Sequence, residues 1–345
     1  MKALLAQLVG QKPLDTAQAV DAFTQIMSGA AEPTQTASLL SLIATRGPVA
    51  DELVGAASVM REMSVPVDVP EGLVVVDTCG AGGTGSTFFN ISTAAALVAA
   101  AAGRPRGLAV AKHGNRSVTS RSGSSNVLEQ LGVNLQATPE VLTRCLDEAG
   151  MCFCFAPAHH PAMKHAGPVR AQLGFRTIFN LVGPLTNPAG ARRQLIGVPS
   201  PEVARLMAEA LLRLGAEHVL LVHTEMPDGR RLGELTTFGP AQAFEVKDGS
   251  VSESKIDPAA LGLSGATPES VTIESPADSA KIVSAVLAGE EGPARDIVAL
   301  NAGAALYVGG VAESVGAGLE LASAAITDGG AKQVLDRLVS LTQTA

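Results

Sequence analysis

The chain has 345 residues, of which 46% are hydrophobic, 17% are charged and only 3% are aromatic. This composition excludes an intrinsically disordered chain, and the length predicts two domains or one large domain with an appendage. The net charge of −8 disfavours general binding to nucleic acid.

The first 64 residues are predicted to be entirely helical. Apolar residues at helical spacing predict helices over residues 16–27, 34–44 and 51–63. Residues 1–10 are interpreted as another helix rather than a signal peptide, because Gln7 interrupts a short apolar run. Two prolines and a closing glycine predict a linker over residues 65–72.

From residue 73 to residue 345, short β-branched runs alternate with helical patterns. Strands are predicted over residues 73–76, 107–111, 151–155 and 218–222, with a turn between residues 244–246 and 248–251. Helices are predicted over residues 92–102, 125–131, 139–149, 202–214, 279–287, 296–308, 315–327 and 331–342. This alternation predicts an α/β domain with a mostly parallel central sheet, and part of residues 158–190 is a candidate addition to the helical domain.

A basic segment stands out in this acidic chain. The chain has 25 Lys and Arg against 33 Asp and Glu, yet residues 78–128 contain no acid. The cations of this segment are Arg104, Arg106, Lys112, Arg116 and Arg121. The same segment holds the glycine cluster of residues 80–85, whose backbone N–H groups can approach a ligand closely. Together these features predict a site for a heavily phosphorylated small molecule at the carboxyl ends of the strands.

The glycine cluster also matches a dinucleotide-binding fingerprint, Gly80-x-Gly82-x-x-Gly85. That fingerprint requires a helix at the glycines and an acid about 20 residues further on. The first acid here is Glu129, so a nicotinamide cofactor is disfavoured.

Two polar segments supply further candidate ligands. Ser92 and Thr93 precede an alanine-rich helix, where they can cap the helix or bind phosphate. The loop that begins at Lys112 offers cations, His and hydroxyl groups but no acid, so Lys112 and Arg116 are phosphate candidates and Asn115 could orient an uncharged group.

Residues further along the chain predict the rest of the site. His159, His160 and His165 are interpreted as site-lining residues rather than a metal cluster, because no acid lies beside them. Arg170 is the candidate partner of a carboxylate. Pyrophosphate chemistry needs Mg²⁺, which binds few carboxylates directly, so Glu234 is the candidate ligand with Asp228 as a weaker helper. The four cysteines have neither zinc nor redox spacing, and we expect free thiols.

Several motifs, taken in order, resemble the anthranilate phosphoribosyltransferase family. They are Asp77-x-Cys79-Gly80-Ala81-Gly82-Gly83-Thr84-Gly85, Asn90-Ile91-Ser92-Thr93, Lys112-His113-Gly114-Asn115-Arg116, Ala158-His159-His160-Pro161-Ala162-Met163, the run of residues 176–188 and the run of residues 296–306. The resemblance spans nearly the whole chain.

The resemblance implies a small helical domain beside a large α/β domain, in a cytoplasmic homodimer. The implied reaction is the transfer of phosphoribose from phosphoribosyl pyrophosphate to the amine of anthranilate with Mg²⁺, in tryptophan biosynthesis. Pyrimidine nucleoside phosphorylases share this fold, so a phosphorylase-like enzyme is one alternative. A non-catalytic nucleic-acid-binding paralogue is the other, although the net negative charge opposes it.

The resemblance also implies site residues. Phosphoribosyl pyrophosphate would contact Gly80, Gly83, Thr84, Phe88, Asn90, Ile91, Ser92, Thr93, Lys112, His113, Gly114, Asn115, Arg116, Ser117, Val118, Thr119, Ser120 and Ser124. Anthranilate would contact Gly80, Asn115, His160 and Arg170. Ser92 and Glu234 would be the magnesium ligands.

Four positions depart from the family pattern. The family usually has threonine where this chain has Ala81 and aspartate where it has Thr84, and threonine is common in place of Phe88. An aspartate usually precedes the acid at position 234, where this chain has Gly233. Two carboxylates near the pyrophosphate are therefore absent.

Overall fold

The computed structural model describes residues 1–82, 87–116, 121–226, 229–263 and 267–343. The amino-terminal part forms four helices, α1 (Lys2–Val9), α2 (Thr16–Met27), α3 (Pro33–Arg46) and α4 (Ala50–Glu62). Asp15 caps α2 by accepting a hydrogen bond from the Gln18 N–H, and the Gln18 side-chain oxygen accepts one from the Asp15 N–H. Gly47, with φ of 91°, ends α3 in a conformation that glycine adopts readily.

The remaining chain alternates strands and helices. Its elements are β1 (Val74–Gly80), α5 (Ile91–Gly103), β2 (Leu108–Gly114), α6 (Ser124–Gln130), α7 (Pro139–Ala149), β3 (Met151–Phe155), α8 (Ala156–His159), α9 (Met163–Leu173), α10 (Phe179–Val182), β4 (Arg193–Gly197), α11 (Pro201–Arg213), β5 (His218–Glu225), β6 (Arg231–Leu232), β7 (Ala241–Lys247), β8 (Ser250–Ile256), α12 (Pro276–Leu287), α13 (Pro293–Val308), α14 (Val315–Thr327) and α15 (Gly330–Gln343).

These strands form one sheet in the order β3-β2-β1-β4-β5-β7-β8, with β6 paired to β5. Strands β1 to β5 are parallel, whereas β7 and β8 are antiparallel additions at one side. The predicted fold class, a small helical domain with a large α/β domain and a mostly parallel sheet, is confirmed. Strand β4 and helix α9 were missing from the prediction, although β4 lies in the middle of the sheet between β1 and β5.

Strands β7 and β8 form a hairpin at the outer side of the sheet. Its turn residues Asp248 and Gly249 have φ of 49° and 73°, as a two-residue hairpin turn of this kind requires. Strand β8 is exposed along almost its whole length and carries Glu253 and Lys255. Charged residues on an edge strand oppose pairing with another chain.

Two apolar clusters support the sheet. The first is built around α5, whose residues are almost all buried, and includes the contact between α13 and α14. There the backbones approach so closely that a Cβ on Gly318 would lie 2.2 Å from the Gly303 carbonyl oxygen. The second cluster joins α1 to α4 with α10, α11 and apolar residues of β4, β5 and β7.

The segment predicted as a linker is hydrogen-bonded to residues of the 158–190 segment. The Val65 N–H donates to the His159 carbonyl at 2.8 Å, and the Val67 N–H donates to the Pro188 carbonyl at 3.1 Å. The division at residues 64 and 73, with part of 158–190 as an addition, stays a prediction.

Two further expectations concern the whole chain. All four cysteines lie in described segments and are free thiols, as expected. Within those segments, no helix combines the length and the apolar character needed to cross a membrane.

Candidate active site

The carboxyl ends of the five parallel strands meet at one edge of the sheet. Gly80 at the end of β1 pairs with Gly197 at the end of β4, and Gly114 at the end of β2 pairs with Phe155 at the end of β3. The glycine loop, the basic loop and the His-His segment directly follow these strands. The sheet therefore brings together the segments that the sequence predicted as ligand-binding.

Lys112 on β2 is fully buried and reaches between β1 and the start of α5. Its Nζ donates to the Thr78 carbonyl oxygen and lies 3.3 Å from Ser92 Oγ. Burial lowers the pKa of this ammonium group, while the carboxylates of Asp77 and Glu234 act in the opposite direction. Lys112 thus places a positive charge beneath the start of α5, where anions are stabilised by free backbone N–H groups.

Asp77 on β1 links this strand to β2 near the charge of Lys112. Its carboxylate accepts hydrogen bonds from the His113 N–H at 3.1 Å and from Asn187 Nδ2 at 2.8 Å. Burial raises the pKa of Asp77, and the nearby Lys112 opposes that rise. The buried carboxylate is satisfied by polar partners, as buried acids need to be.

The start of α5 is anchored from a distant helix. Ser279 on α12 donates through Oγ to Asn90 Oδ1 at 2.7 Å and accepts from the Asn90 N–H at 2.9 Å. Asn90 in turn donates to the Ser122 carbonyl at 3.1 Å, which joins the start of α5 to the basic loop. Ser279 was not predicted as a site residue, because nothing in its local sequence indicates a partner 189 residues away.

Other predicted residues adopt specific contacts in this structure. Phe88 is buried edge-on against Phe238, and Ile91 and Thr93 are also buried. The Arg116 guanidinium makes two 2.7 Å bonds to Glu129, and Asn115 is exposed. The Ser124 hydroxyl lies 3.4 Å from the Asn115 carbonyl. Their roles in ligand binding stay predictions.

Six of the predicted contacts lie outside the described residues, as does the helper Asp228. They are Gly83, Thr84, Ser117, Val118, Thr119 and Ser120.

Two histidines form a neutral, buried pair beside the basic loop. The rings of His113 and His160 lie 5.1 Å apart between centroids, and among the described residues neither Nε2 atom has a hydrogen-bond partner. Burial lowers the pKa of His113 to about 3 and that of His160 to about 4. Both rings are therefore uncharged at neutral pH. His159 is held separately, with Nδ1 2.8 Å from the Val65 carbonyl oxygen.

Two arginines extend from the segment between β3 and β4. The Arg170 guanidinium lies 5.2 Å from the centroid of the Phe179 ring. Arg176, which was not predicted as a ligand, donates to the Ala81 carbonyl in the glycine loop at 3.3 Å. Burial lowers the pKa of both groups, yet arginine stays charged in proteins, so both can bind a carboxylate or phosphate.

Glu234 lies near Lys112 in the loop between β6 and β7. Burial raises the pKa of its carboxyl group to about 7, and Lys112 limits that rise. The neighbouring Gly233 packs directly on Gly197 at the end of β4, so that a Cβ at position 233 would lie 2.8 Å from the Gly197 carbonyl carbon. The usual aspartate is thus absent at position 233, and the contact with the Gly197 backbone leaves no room for a side chain there.

The donor set limits the kind of metal site that the chain can form. Among the described residues no group of three or more His, Cys, Asp or Glu side chains could hold a metal ion. Ser92 Oγ lies 3.3 Å from Lys112 Nζ, and the charge of Lys112 acts on the Glu234 carboxylate, so both hard oxygen donors are near Lys112. They fit Mg²⁺, which is usually held by one or two carboxylates together with substrate phosphates.

Comparisons with known proteins cover nearly the whole chain. Residues 2–64 match the profile of the helical bundle domain of a glycosyl transferase family, and residues 72–332 match the a/b domain of that family. An anthranilate phosphoribosyltransferase of Rubrobacter xylanophilus is 47% identical over 99% of this chain and 98% of its own length. One from Nitrosomonas eutropha is 43% identical, again over 99% and 98%.

Solved structures give the same result. The anthranilate phosphoribosyltransferase of Thermus thermophilus has a TM-score of 0.89 and 40% identity, with 99% of each chain covered. The enzyme of Saccharomyces cerevisiae, solved in complex with PRPP and Mg, has a TM-score of 0.89 at 24% identity, covering 99% of this chain and 98% of that chain. The second likeness supports the fold alone.

Proposed function

Because the chain belongs to the anthranilate phosphoribosyltransferase family, we infer that it transfers phosphoribose from phosphoribosyl pyrophosphate (PRPP) to the amine of anthranilate. The products are N-(5-phosphoribosyl)anthranilate and pyrophosphate, in tryptophan biosynthesis. The observation that carries this inference is 47% identity over almost the entire length of an enzyme of that name. The family relationship favours this transferase over a pyrimidine nucleoside phosphorylase or a nucleic-acid-binding paralogue.

The pyrophosphate is proposed to leave towards the start of α5. Negative charge grows on the leaving oxygen as the bond from C1 of the ribose breaks, and preorganised positive groups stabilise such charge most effectively. The buried Lys112 ammonium and the hydroxyl group of Ser92 support this assignment. The Asn90–Ser279 contact holds the same helix start in place.

Anthranilate is proposed to bind on the side of the histidine pair. The uncharged rings of His113 and His160 suit an aromatic acceptor, and Arg170 is the proposed partner of its carboxylate. The amine lone pair attacks C1 as the bond to pyrophosphate breaks, and the nitrogen then releases one proton to solvent. The aromatic amine is a weak nucleophile, so correct positioning is expected to supply most of the rate increase.

We propose Mg²⁺ as the cofactor, held by Ser92, Glu234 and the pyrophosphate of the substrate. The ion would neutralise charge on the leaving pyrophosphate. The Saccharomyces cerevisiae enzyme, which shares the fold, was solved in complex with PRPP and Mg. We also propose a cytoplasmic homodimer, which light scattering of the purified protein would test.

The reaction is tested by the fluorescence of anthranilate, which is lost when its amine is ribosylated. We expect the signal to fall when the protein, PRPP and Mg²⁺ are combined. Omitting PRPP, or adding EDTA, should abolish the loss. A stable signal with the complete mixture would contradict the proposed reaction, and a fall that persists in EDTA would contradict the metal requirement.

A further inference from the structure

Asn301 is a fully buried amide in the middle of the apolar helix α13. Its Nδ2 donates to the Leu235 carbonyl at 2.8 Å and to the Ile297 carbonyl at 2.8 Å, and its Oδ1 accepts from the Leu235 N–H at 3.2 Å. Both donor hydrogens of the amide are thus used. The Asn301 side chain bonds both the N–H and the carbonyl of Leu235, which is the pattern that a neighbouring β-strand would supply.

A second polar side chain, on a strand of the sheet, bonds the adjacent residue. Thr224 on β5 is almost fully buried, and its Oγ1 donates to the Glu234 carbonyl at 2.8 Å. Strand β5 and helix α13 therefore supply partners for three consecutive backbone groups, the Glu234 carbonyl and the N–H and carbonyl of Leu235. We call Thr224 and Asn301 the loop clamp.

The clamped residues lie in an irregular stretch between β6 and β7, outside the strands of the sheet. A backbone position in such a stretch has no hydrogen-bond ladder to define it. The close packing of Gly233 on Gly197 limits the chain on one side of Glu234, and the loop clamp limits it on the other. The backbone that carries the Glu234 carboxylate is consequently held on both sides.

We propose that Thr224 and Asn301 are positioning residues, which hold Glu234 where its carboxylate can bind the divalent cation of the PRPP complex. This inference rests on the proposed function, in particular on Glu234 as a ligand. A carboxylate held in advance loses less conformational freedom when it binds the ion, so the loop clamp should act on metal affinity before it acts on the acceptor substrate.

The decisive variant is Thr224→Val, which removes the hydroxyl group but keeps the shape of the side chain. Asn301→Leu removes the second half of the loop clamp. Thr224→Ser keeps the hydroxyl group and should behave like the wild type. Thr342→Val is the matched control, because Thr342 is also buried and accepts a hydrogen bond from a loop N–H, that of Asn134 at 3.2 Å, but lies on α15.

The measurement is the binding of Mn²⁺ in the presence of PRPP, followed by electron paramagnetic resonance of free Mn²⁺, which needs no turnover. Loss of one hydrogen bond should raise the dissociation constant by about threefold to tenfold in Thr224→Val. Asn301→Leu loses both bonds to Leu235 and should raise it at least as much. The KM for anthranilate should stay close to the wild-type value. Thr224→Ser and Thr342→Val should bind Mn²⁺ like the wild type.

The inference is overturned if folded Thr224→Val binds Mn²⁺ as tightly as the wild type. It is also overturned if Thr342→Val weakens Mn²⁺ binding equally, because the effect would then reflect general stability. Should Asn301→Leu fail to fold, Thr224→Val and Thr224→Ser decide the question alone. A wild-type protein that binds Mn²⁺ with PRPP but does not consume anthranilate would contradict the proposed function and leave this inference standing.

Discussion

Arg170 is the residue on which recognition of the acceptor carboxylate is expected to depend. Arg170→Ala should raise the KM for anthranilate far more than that for PRPP, because an arginine–carboxylate bond contributes about 1.5–3 kcal/mol, roughly tenfold to a hundredfold in affinity. Steady-state kinetics with each substrate varied in turn would measure both constants. Arg205→Ala is a matched control, since Arg205 also lies 5.2 Å from a phenylalanine ring, that of Phe244, but pairs with Glu253. Equal losses for both substrates would contradict the assignment of Arg170.

The buried histidines should make the protein sensitive to acid. The pKa values of His113 and His160 are lowered by burial to about 3 and about 4, so the unfolded chain binds more protons than the folded protein below pH 6.5. Stability is therefore lost as the pH falls from about 6.5 towards 4, by at most about 1.4 kcal/mol per pH unit for each ring. His160→Gln removes one such group.

Denaturant unfolding at pH 7 and pH 4.5 checks this expectation. His160→Gln should lose less stability than the wild type between these two pH values. The raised pKa of Glu234, about 7, acts in the opposite direction, but it is common to both proteins and cancels in the comparison. An identical pH dependence in the two proteins would mean that His160 titrates normally in the folded state.

At the scale of the elements, the backbones of Gly197 and Gly233 pack directly against each other beside Glu234, the proposed magnesium ligand. Gly233→Ala and Gly233→Asp should both lower the free energy of unfolding by about 1–3 kcal/mol, because the new Cβ meets the Gly197 backbone at 2.8 Å. Thermal unfolding would measure the loss. Gly239→Ala is the control, since nothing lies within 4 Å of a Cβ at that position in the same loop. Wild-type stability in both Gly233 variants would show that the loop moves freely.

The positions of the strands and helices also explain which features of the fold and the site could be predicted from the sequence. The glycine and basic loops follow strands β1 and β2, and parallel strands end at one edge, so their proximity was predictable. Strand β4 was missed because Arg193 and Gln194 break its apolar pattern, although Gln194 is buried with its amide bonded to the Pro184 carbonyl. Helix α9 was missed because it contains Pro168. Ser279 and Asn301 were missed because their partners lie far away in the sequence.

At the scale of the whole molecule, the cysteines report on unfolding. Cys145, Cys152 and Cys154 are fully buried, and burial raises the pKa of Cys145 to about 11. Buried, protonated thiols react slowly, so a thiol reagent such as Ellman's should modify at most Cys79 in the native protein and all four cysteines in denaturant. Counting the released chromophore measures this. Fast reaction of more than one thiol in the native protein would reveal opening of the core around β3.

The β7–β8 hairpin offers a place to attach a reporter. Lys247 pairs with His218 at the beginning of β5, so the turn at Asp248 and Gly249 lies at the sheet edge opposite the strand ends that carry the candidate site. Exposed turns tolerate insertions well. A fluorescent label or affinity tag inserted there would allow immobilisation and single-molecule observation of the protein with the edge that carries the candidate site facing away from the support.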